Sequence, residues 1–314
     1  MPDQKSRNDS AMPDSTFRML RQNSCVETFH EYRPLLFSIA YRMLGSAADA
    51  EDMLQETFIR WQQGSQDEIR SARAFLVTVI SRLCLQHLER TRVKREEYVG
   101  PWLPEPVFTE DLNSDPSANC RMHESLSIAF LLLLEKLTPS ERAVFLLHEV
   151  FEYEYAEVAQ ILGKTEANCR QLIRRARQHI SSGRPRFDAS PEQHKKLLEG
   201  FLLASSTGDL AGLVALLSND VIVYSDGGGN AKAALNPIYG RERAVRFLLG
   251  SIRKTVPLDI RMRIEEVNGH PGVIYSQPNG RAGCLITFDI VDGVIQNIYI
   301  VTNPEKLRCL SQSA

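Results

Sequence analysis

Between Lys164 and Arg186 the chain carries seven lysines and arginines against a single acid, Glu166. Within that stretch Asn168, Arg170, Gln171, Arg174 and Arg177 fall on exposed positions of a helical pattern, while Ala167, Leu172, Ile173 and Ala176 fall on inner ones. Arginine forks match guanine edges and phosphates, and Asn or Gln amides pair bidentately with adenine, so this inventory suits reading of duplex DNA in its major groove. A second constellation has the opposite sign. Ala47–Glu56 holds Asp49, Glu51, Asp52 and Glu56 and no basic residue. Asp49, Asp52 and Glu56, spaced i, i+3, i+7, share one face of a helix whose other side holds Met53, Leu54, Phe58 and Trp61. An acidic stripe taken alone is in most cases a solvated face. Its neighbour in the chain shifts the balance: the next helical segment places Arg73, Ser81, Arg82, Gln86, His87 and Arg90 around its polar side and ends in Arg92, Lys94 and Arg95, groups suited to phosphates and base edges. All of this chemistry is ion pairing and hydrogen bonding, and no covalent nucleophile is evident.

These side chains need helices to carry them. Leu36, Ile39, Ala40, Met43 and Leu44, then Ala50, Met53, Leu54, Phe58 and Trp61, then Leu76, Val79, Ile80 and Leu83 repeat with helical period, which predicts one bundle over 24–97 after a flexible polar leader over 1–23. Three prolines in Tyr98–Pro106 open a linker over 98–121. Helical pattern resumes at Met122, and Thr138-Pro139-Ser140-Glu141 reads as an N-cap, a proline at the first helical position and a capping-box glutamate. Tyr155–Leu162, Gly163-Lys164 and an N-capping Thr165 then form a helix-turn-helix, so 122–183 is a second, smaller bundle. A basic joint over 184–192 leads to 193–314, where two helical segments precede strands. Ile260, Met262 and Ile264 alternate with charged residues, and Gly283–Val291 and Val294–Val301 flank the hairpin dipeptide Asp292-Gly293, predicting an α+β domain with an antiparallel sheet.

Composition removes several classes. The longest apolar run, Ile128–Leu134, is far below the roughly 20 residues needed to cross a bilayer, and no secretory signal is visible. Six dispersed cysteines lack CxxC or Cys/His spacing, so reduced thiols and no metal are expected. Net charge is only −2, which argues against a generic nucleic-acid coat and puts the weight on how charge is distributed over the 314 residues.

The segment Phe29–Arg95, with Asp49-Ala50-Glu51-Asp52-Met53-Leu54-Gln55-Glu56-Thr57-Phe58 at its heart, resembles region two of the extracytoplasmic-function sigma factors of the sigma-70 family. Leu137–Ile180, with its Thr138-Pro139-Ser140-Glu141-Arg142 start and Gln171-Leu172-Ile173-Arg174-Arg175-Ala176-Arg177 finish, resembles region four. The resemblance implies two all-α bundles, the second a helix-turn-helix, in a cytoplasmic protein that is monomeric when free and binds RNA polymerase core and promoter DNA. It assigns Asp49, Glu51, Asp52, Gln55, Glu56 and Phe58 to the clamp of the largest polymerase subunit, with a further contact to the flap of the second-largest. Arg73, Ser81, Arg82, Gln86, His87 and Arg90 are assigned to the downstream promoter element, where a flipped base is captured. Lys164, Thr165, Asn168, Arg170, Gln171, Arg174 and Arg177 are assigned to the upstream element, with two readers on a flexible tether.

Helices followed by curved strands after about Ser190 look like a SnoaL-like, ketosteroid-isomerase-type cone. Three local signatures narrow the resemblance: Tyr98-Val99-Gly100-Pro101-Trp102-Leu103-Pro104-Glu105-Pro106, Asp226-Gly227-Gly228-Gly229 and Asn303-Pro304-Glu305-Lys306-Leu307. They are similar to the sigma-factor group with a fused SnoaL-like domain that modulates activity in place of a separate anti-sigma protein. Asn230 and Glu305 depart from that group, which often has lysine and aspartate there. Tyr98, Pro101, Trp102, Leu103 and Pro104, with Asp226, Gly227, Gly228, Gly229 and Asn303, Pro304, Glu305, Lys306 and Leu307, are therefore expected to be interdomain regulatory positions, Trp102 between prolines being a stiff apolar strip able to dock on another domain. Two other readings stay open: a ligand-responsive helix-turn-helix regulator independent of polymerase, and isomerase chemistry in the cone drawing on Asp226, Asp289 and Tyr224. No cofactor and no catalytic residue is expected; a small ligand in the cone is unreadable from sequence.

Overall fold

The computed structural model describes residues 14–64, 69–112, 125–181, 190–255 and 260–311. The parts of the expected leader, linker and joint at 1–13, 113–121 and 184–189 lie outside the described residues, as do the side chains of Arg92, Lys94 and Arg95. Helix α1 (Asp14–Leu44) starts inside the stretch expected to be a flexible leader. Helix α2 (Ala47–Gln63) follows after Gly45, with Ser46 as N-cap accepting from the Asp49 amide at 3.1 Å, and α3 (Ala72–Glu96) completes the first bundle.

A single turn, α4 (Thr109–Leu112), stands apart within the expected linker. The second bundle comprises α5 (Ile128–Leu134), α6 (Pro139–Phe145), which continues as a π-helical turn through Val150, then α7 (Tyr155–Leu162) and α8 (Glu166–Ser181). Thr138 and Glu141 form the expected capping box, and Gly163 ends α7 at φ 63° in the left-handed conformation a side chain would strain. The two bundles are not separate bodies on a tether. One contiguous apolar core runs from Cys25 and Phe29 through Leu76, Ile80 and Phe145 to Ile173 and Ile180. The sequence pattern assigns inner faces to each helix but says nothing about which bundle buries them, and here each buries part of its apolar surface on the other.

Beyond Ser190, α9 (Pro191–Thr207) and α10 (Leu210–Leu216) lead into a six-stranded sheet. Its strands are β1 (Leu217–Asp226), β2 (Ile238–Tyr239), β3 (Arg261–Val267), β4 (His270–Ser276), β5 (Ala282–Val291) and β6 (Val294–Val301), in the order β2-β1-β6-β5-β4-β3, with α11 (Arg241–Thr255) between β2 and β3. The sheet is mixed, which corrects the antiparallel expectation: β1 pairs with β6 in parallel, Tyr224 opposite Tyr299. That pairing joins strands far apart in sequence and leaves no local signature. The β5–β6 turn agrees with expectation, with Asp292 at φ 51° and Gly293 at φ 76°.

Alternation along the strands gives the sheet two apolar faces. Val223, Phe288 and Ile298 pack under Leu198 and Phe201 of α9 and Val245 and Leu248 of α11. The opposite face presents Ile274, Leu285, Tyr299 and Val301, and it is covered by Leu103 together with Ile128 and Ala129 of the second bundle. Residues 103–107 are all buried, so this part of the proline-rich segment is a strap clamped between domains. Full burial of a side chain the size of Leu103 favours this docking by about 2 kcal/mol.

Candidate polymerase and nucleic-acid interface

On α2, Asp52 and Gln55 are exposed, Glu56 is partly exposed and pairs with Arg60 at 2.9 Å, and Glu51 takes Arg33 at 2.7 Å. Asp49 faces the His87 imidazole at 3.6 Å. Asp49, Asp52 and Glu56 share one side of the helix, as their spacing requires, while Glu51, two residues from Asp49, turns to α1. Phe58 is half-buried beside them, its ring packed on Phe29 with centroids 4.8 Å apart at the margin of the bundle core.

The basic helix α3 is divided between solvent and the second bundle. Gln86 and Arg90 are exposed. Ser81 is fully buried, which removes it from the polar face; helical phase puts it beside Val77 and Cys84 in the core. Arg82 donates from Nε to the Ile161 carbonyl at 2.7 Å and from its second nitrogen to Gln160 at 2.9 Å, satisfying the C-terminal carbonyls of α7. Arg73 lies over the Tyr153 ring at 5.6 Å. Thus two of the cations expected on promoter DNA are engaged by the helix-turn-helix in this arrangement.

On α8 the Thr165 hydroxyl accepts from the Asn168 amide at 3.2 Å, starting the helix where expected, and the Lys164 amide donates to Ala159 at 2.9 Å across the turn. Asn168, Arg170, Gln171, Arg174 and Arg177 are all exposed. Arg170 stacks over Tyr155 at 5.1 Å and pairs with Glu166 at 2.9 Å, while Arg177 pairs with Glu149. With Ile173 and Gln178, Tyr155 and Arg170, Arg174 and Arg177 line a recess of 320 Å³.

The three signature motifs meet at one buried carboxylate. Asp226, fully buried at the end of β1, accepts from the Tyr98 hydroxyl at 2.7 Å and the Gly228 amide at 3.1 Å on one oxygen. Its other oxygen accepts from the Leu103 amide at 2.8 Å and the Lys306 ammonium at 2.7 Å. Lys306 also lies 4.4 Å from the Trp102 ring and 4.7 Å from that of Tyr98, so the charge pair is enclosed by aromatic faces. Burial and the neighbouring carboxylate push the Tyr98 phenol above its ordinary value, so it stays a donor. Asn303 donates to the Tyr98 oxygen at 3.0 Å and accepts the Glu305 amide at 3.1 Å, and Leu307 is buried with Leu103. Gly228, at φ 59°, permits this closeness: a Cβ there would lie 2.2 Å from the Asn303 amide nitrogen. Pro101 and Pro304 are half-buried, Pro104 is buried, Gly227 precedes the close approach, and Gly229 sits under Val99.

The far end of the strap grips the first bundle. Trp102 lies so close to Gly45 that an added Cβ would be 2.6 Å from the ring. Glu105 accepts the amides of Ala47 at 2.8 Å and Ala48 at 3.1 Å, at the start of α2. Sequence reasoning missed the residue beside it, Asn268, whose side chain meets Tyr41, Val107 and Leu126. The dipeptide Asn268-Gly269 is a legible turn signal; its long-range partners are not.

Asp226, Tyr224 and Asp289 all fall on the sheet face that receives the strap, not on the helix-covered face, which counts against their use as an isomerase set. Asp226 is fully engaged. Asp289 accepts from Tyr299 at 2.6 Å and Asn297 at 3.1 Å, and burial raises its carboxyl to about 6. Among the described residues no group of His, Cys, Asp or Glu side chains is arranged to hold a metal ion, and no helix is long and apolar enough to cross a membrane.

Residues 28–93 match the family described as Sigma-70 region 2, and residues 127–180 the family described as Sigma-70, region 4. The chain is 35% identical over 289 residues to the ECF RNA polymerase sigma factor SigJ of Mycobacterium tuberculosis, covering 90% of this chain and 92% of that one. The Probable ECF RNA polymerase sigma factor SigI of the same species is 31% identical over 291 residues, 92% of this chain and 97% of its own. The crystal structure of SigJ superposes with a TM-score of 0.71 at 34% identity, over 90% of this chain and 97% of that one.

Proposed function

Because this chain belongs to the extracytoplasmic-function sigma factors, in the group with a fused SnoaL-like domain, we propose a specific division of labour among its parts. As a sigma factor it binds RNA polymerase core and promoter DNA and directs transcription initiation. Asp49, Glu51, Asp52, Gln55 and Glu56 form the surface for the clamp of the largest subunit, and the second bundle meets the flap of the second-largest. Asn168, Arg170, Gln171 and Arg174 read the upstream element from α8, and α3 takes the downstream element through Gln86, His87 and Arg90, joined by Arg73 and Arg82 once the bundles part. The protein acts in the cytoplasm beside the polymerase, as a monomer until it meets core, and the SnoaL-like domain restrains it without catalysis.

The observation that carries this reading is the single core shared by two bundles whose targets on a promoter are separated by a spacer, with the strap fastened over it by the cone. A polypeptide in that form is closed, and core must open it. Leu103→Asp tests the restraint by placing a charge in the apolar contact between strap and sheet. At limiting core, transcription from a promoter library should change in amount while the preferred sequence stays the same. Unchanged output from a folded variant would refute the restraint. Asp52→Lys with Glu56→Lys should abolish co-purification with core at low salt; retention would refute the assigned surface.

A further inference from the structure

Asn268, which belongs to none of the three signatures, is a cone residue that reaches both helical bundles. It sits at the tip of the β3–β4 hairpin with φ 53°, followed by Gly269 at 77°, and is 1% exposed. Its side-chain oxygen accepts the Val107 amide at 3.1 Å. Its amide nitrogen donates to the Tyr41 hydroxyl at 2.7 Å and to the Leu126 carbonyl at 2.9 Å. Its own backbone amide donates to Val107 at 3.0 Å. Tyr41 lies near the end of α1 in the first bundle; Leu126 precedes α5 of the second.

We propose that Asn268 is a positioning residue through which the cone holds the two bundles together, a task distinct from that of the Asp226 latch. This rests on the reading of the cone as a restraint. Every contact of Asp226 lies between strap and cone or within the cone, so all of them survive when the bundles separate. The two donations of Asn268 do not: as Tyr41 and Leu126 move apart, one carboxamide can follow only one of them. The other loses a buried hydrogen-bond partner before water reaches it, which is the costly way to break such a bond. Arg42 to Ser125 at 2.7 Å and Arg142 to the Met43 carbonyl at 2.8 Å cross the same boundary, but they join bundle to bundle; Asn268 brings the cone into it.

Asn268→Gly deletes the side chain while keeping the left-handed backbone the turn requires. In the full-length chain, with Cys309→Ser and fluorophores at the exposed positions Gln62 and Arg175, N268G should shift the population toward a larger separation by about tenfold. Its apparent affinity for core should rise by a similar factor, because less of the protein is held in an incompetent form. Tyr41→Phe removes the oxygen that accepts from Asn268; it should give part of the shift and add little on top of N268G. Asp226→Asn should speed proteolysis within 98–106 with the label distance unchanged. Should N268G melt below the working temperature, Tyr41→Phe carries the test; the lost oxygen also donates to the Glu105 carbonyl at 2.7 Å, so its effect counts for Asn268 only with proteolysis within 98–106 at the wild-type rate. Wild-type distance and core affinity in folded N268G and Y41F overturn the proposal. If Leu103→Asp alters output in that case, the restraint stands and Asn268 is not its carrier; if it does not, the restraint falls as well.

Discussion

Replacing Asp226 by Asn changes one atom in a fully buried group, and the surrounding geometry sets the consequences. Each carboxylate oxygen accepts from two donors, Tyr98 and Gly228 on one side and Leu103 and Lys306 on the other. Whichever way the new amide is turned, its NH2 meets two donors. The least damaging orientation faces Tyr98, whose hydroxyl can reverse and accept, but that strands the Gly228 amide and deprives Lys306, whose side chain is 12% exposed, of the Asp226 charge. Breaking a buried ion pair from one side costs about 3–5 kcal/mol. Lys306→Met should cost less, because Asp226 keeps three neutral donors. The double variant should be more stable than Asp226→Asn alone, since the ammonium that faced the lost carboxylate has gone. Urea unfolding followed by the fluorescence of Trp61 and Trp102, with the far-ultraviolet signal alongside, measures all three. An Asp226→Asn penalty below about 0.5 kcal/mol, or a double variant equal to the sum of the singles, would refute the reasoning.

Other parts of the molecule yield further expectations. Arg174→Ala should weaken duplex binding by about 1–3 kcal/mol and relax preference at one base position, read by competition among mutated sites; equal losses at every sequence would make it a phosphate contact. Gly45→Ala places a methyl against Trp102 at a φ of 66°, so strap cleavage by protease should accelerate; an unchanged rate would contradict the contact. Burial holds the imidazoles of His194 and His270 down, to about 3 and about 4, against 6.5 when unfolded. Between those values the unfolded chain binds more protons, so cone stability should fall as pH drops below about 6.5. Asp289, raised to about 6 from 3.8, acts oppositely between those two values and offsets part of the loss. Melting temperatures that stay flat from pH 7.5 to 5, or a slope that His194→Phe leaves unaltered, would contradict this.

Local signals in the sequence located what local physics determines. Gly163 and Thr165 marked the helix-turn-helix, Thr138 and Glu141 the start of α6, and Asp292-Gly293 the last hairpin, because each is set by backbone conformation and capping within a few residues. Long-range choices left no such mark. The parallel pairing of β1 with β6, the common core of the two bundles and the turning of Arg82 toward α7 depend on which faces meet. Ser81 shows the limit on a single helix, where its polarity pointed to the surface and its phase put it inside. The three signature motifs were legible as motifs, and the prolines around Trp102 as a stiff strip able to dock, whereas which groups the strip meets depends on the tertiary arrangement and left no local mark.

Glu105 gives the strap a reach beyond fastening. Helix α2 presents the acidic stripe, yet its first turn is finished by a carboxylate from the strap, which takes the amides of Ala47 and Ala48 and offsets the positive end of that helix. Peeling the strap away would remove one of the two carboxylates at that end, leaving Asp49 and the Ser46 cap, and loosen the first turn. The stiffness of the acidic face on α2, the surface proposed for polymerase, is thereby linked to whether the strap lies down, so displacing the strap alters how firmly that face is built.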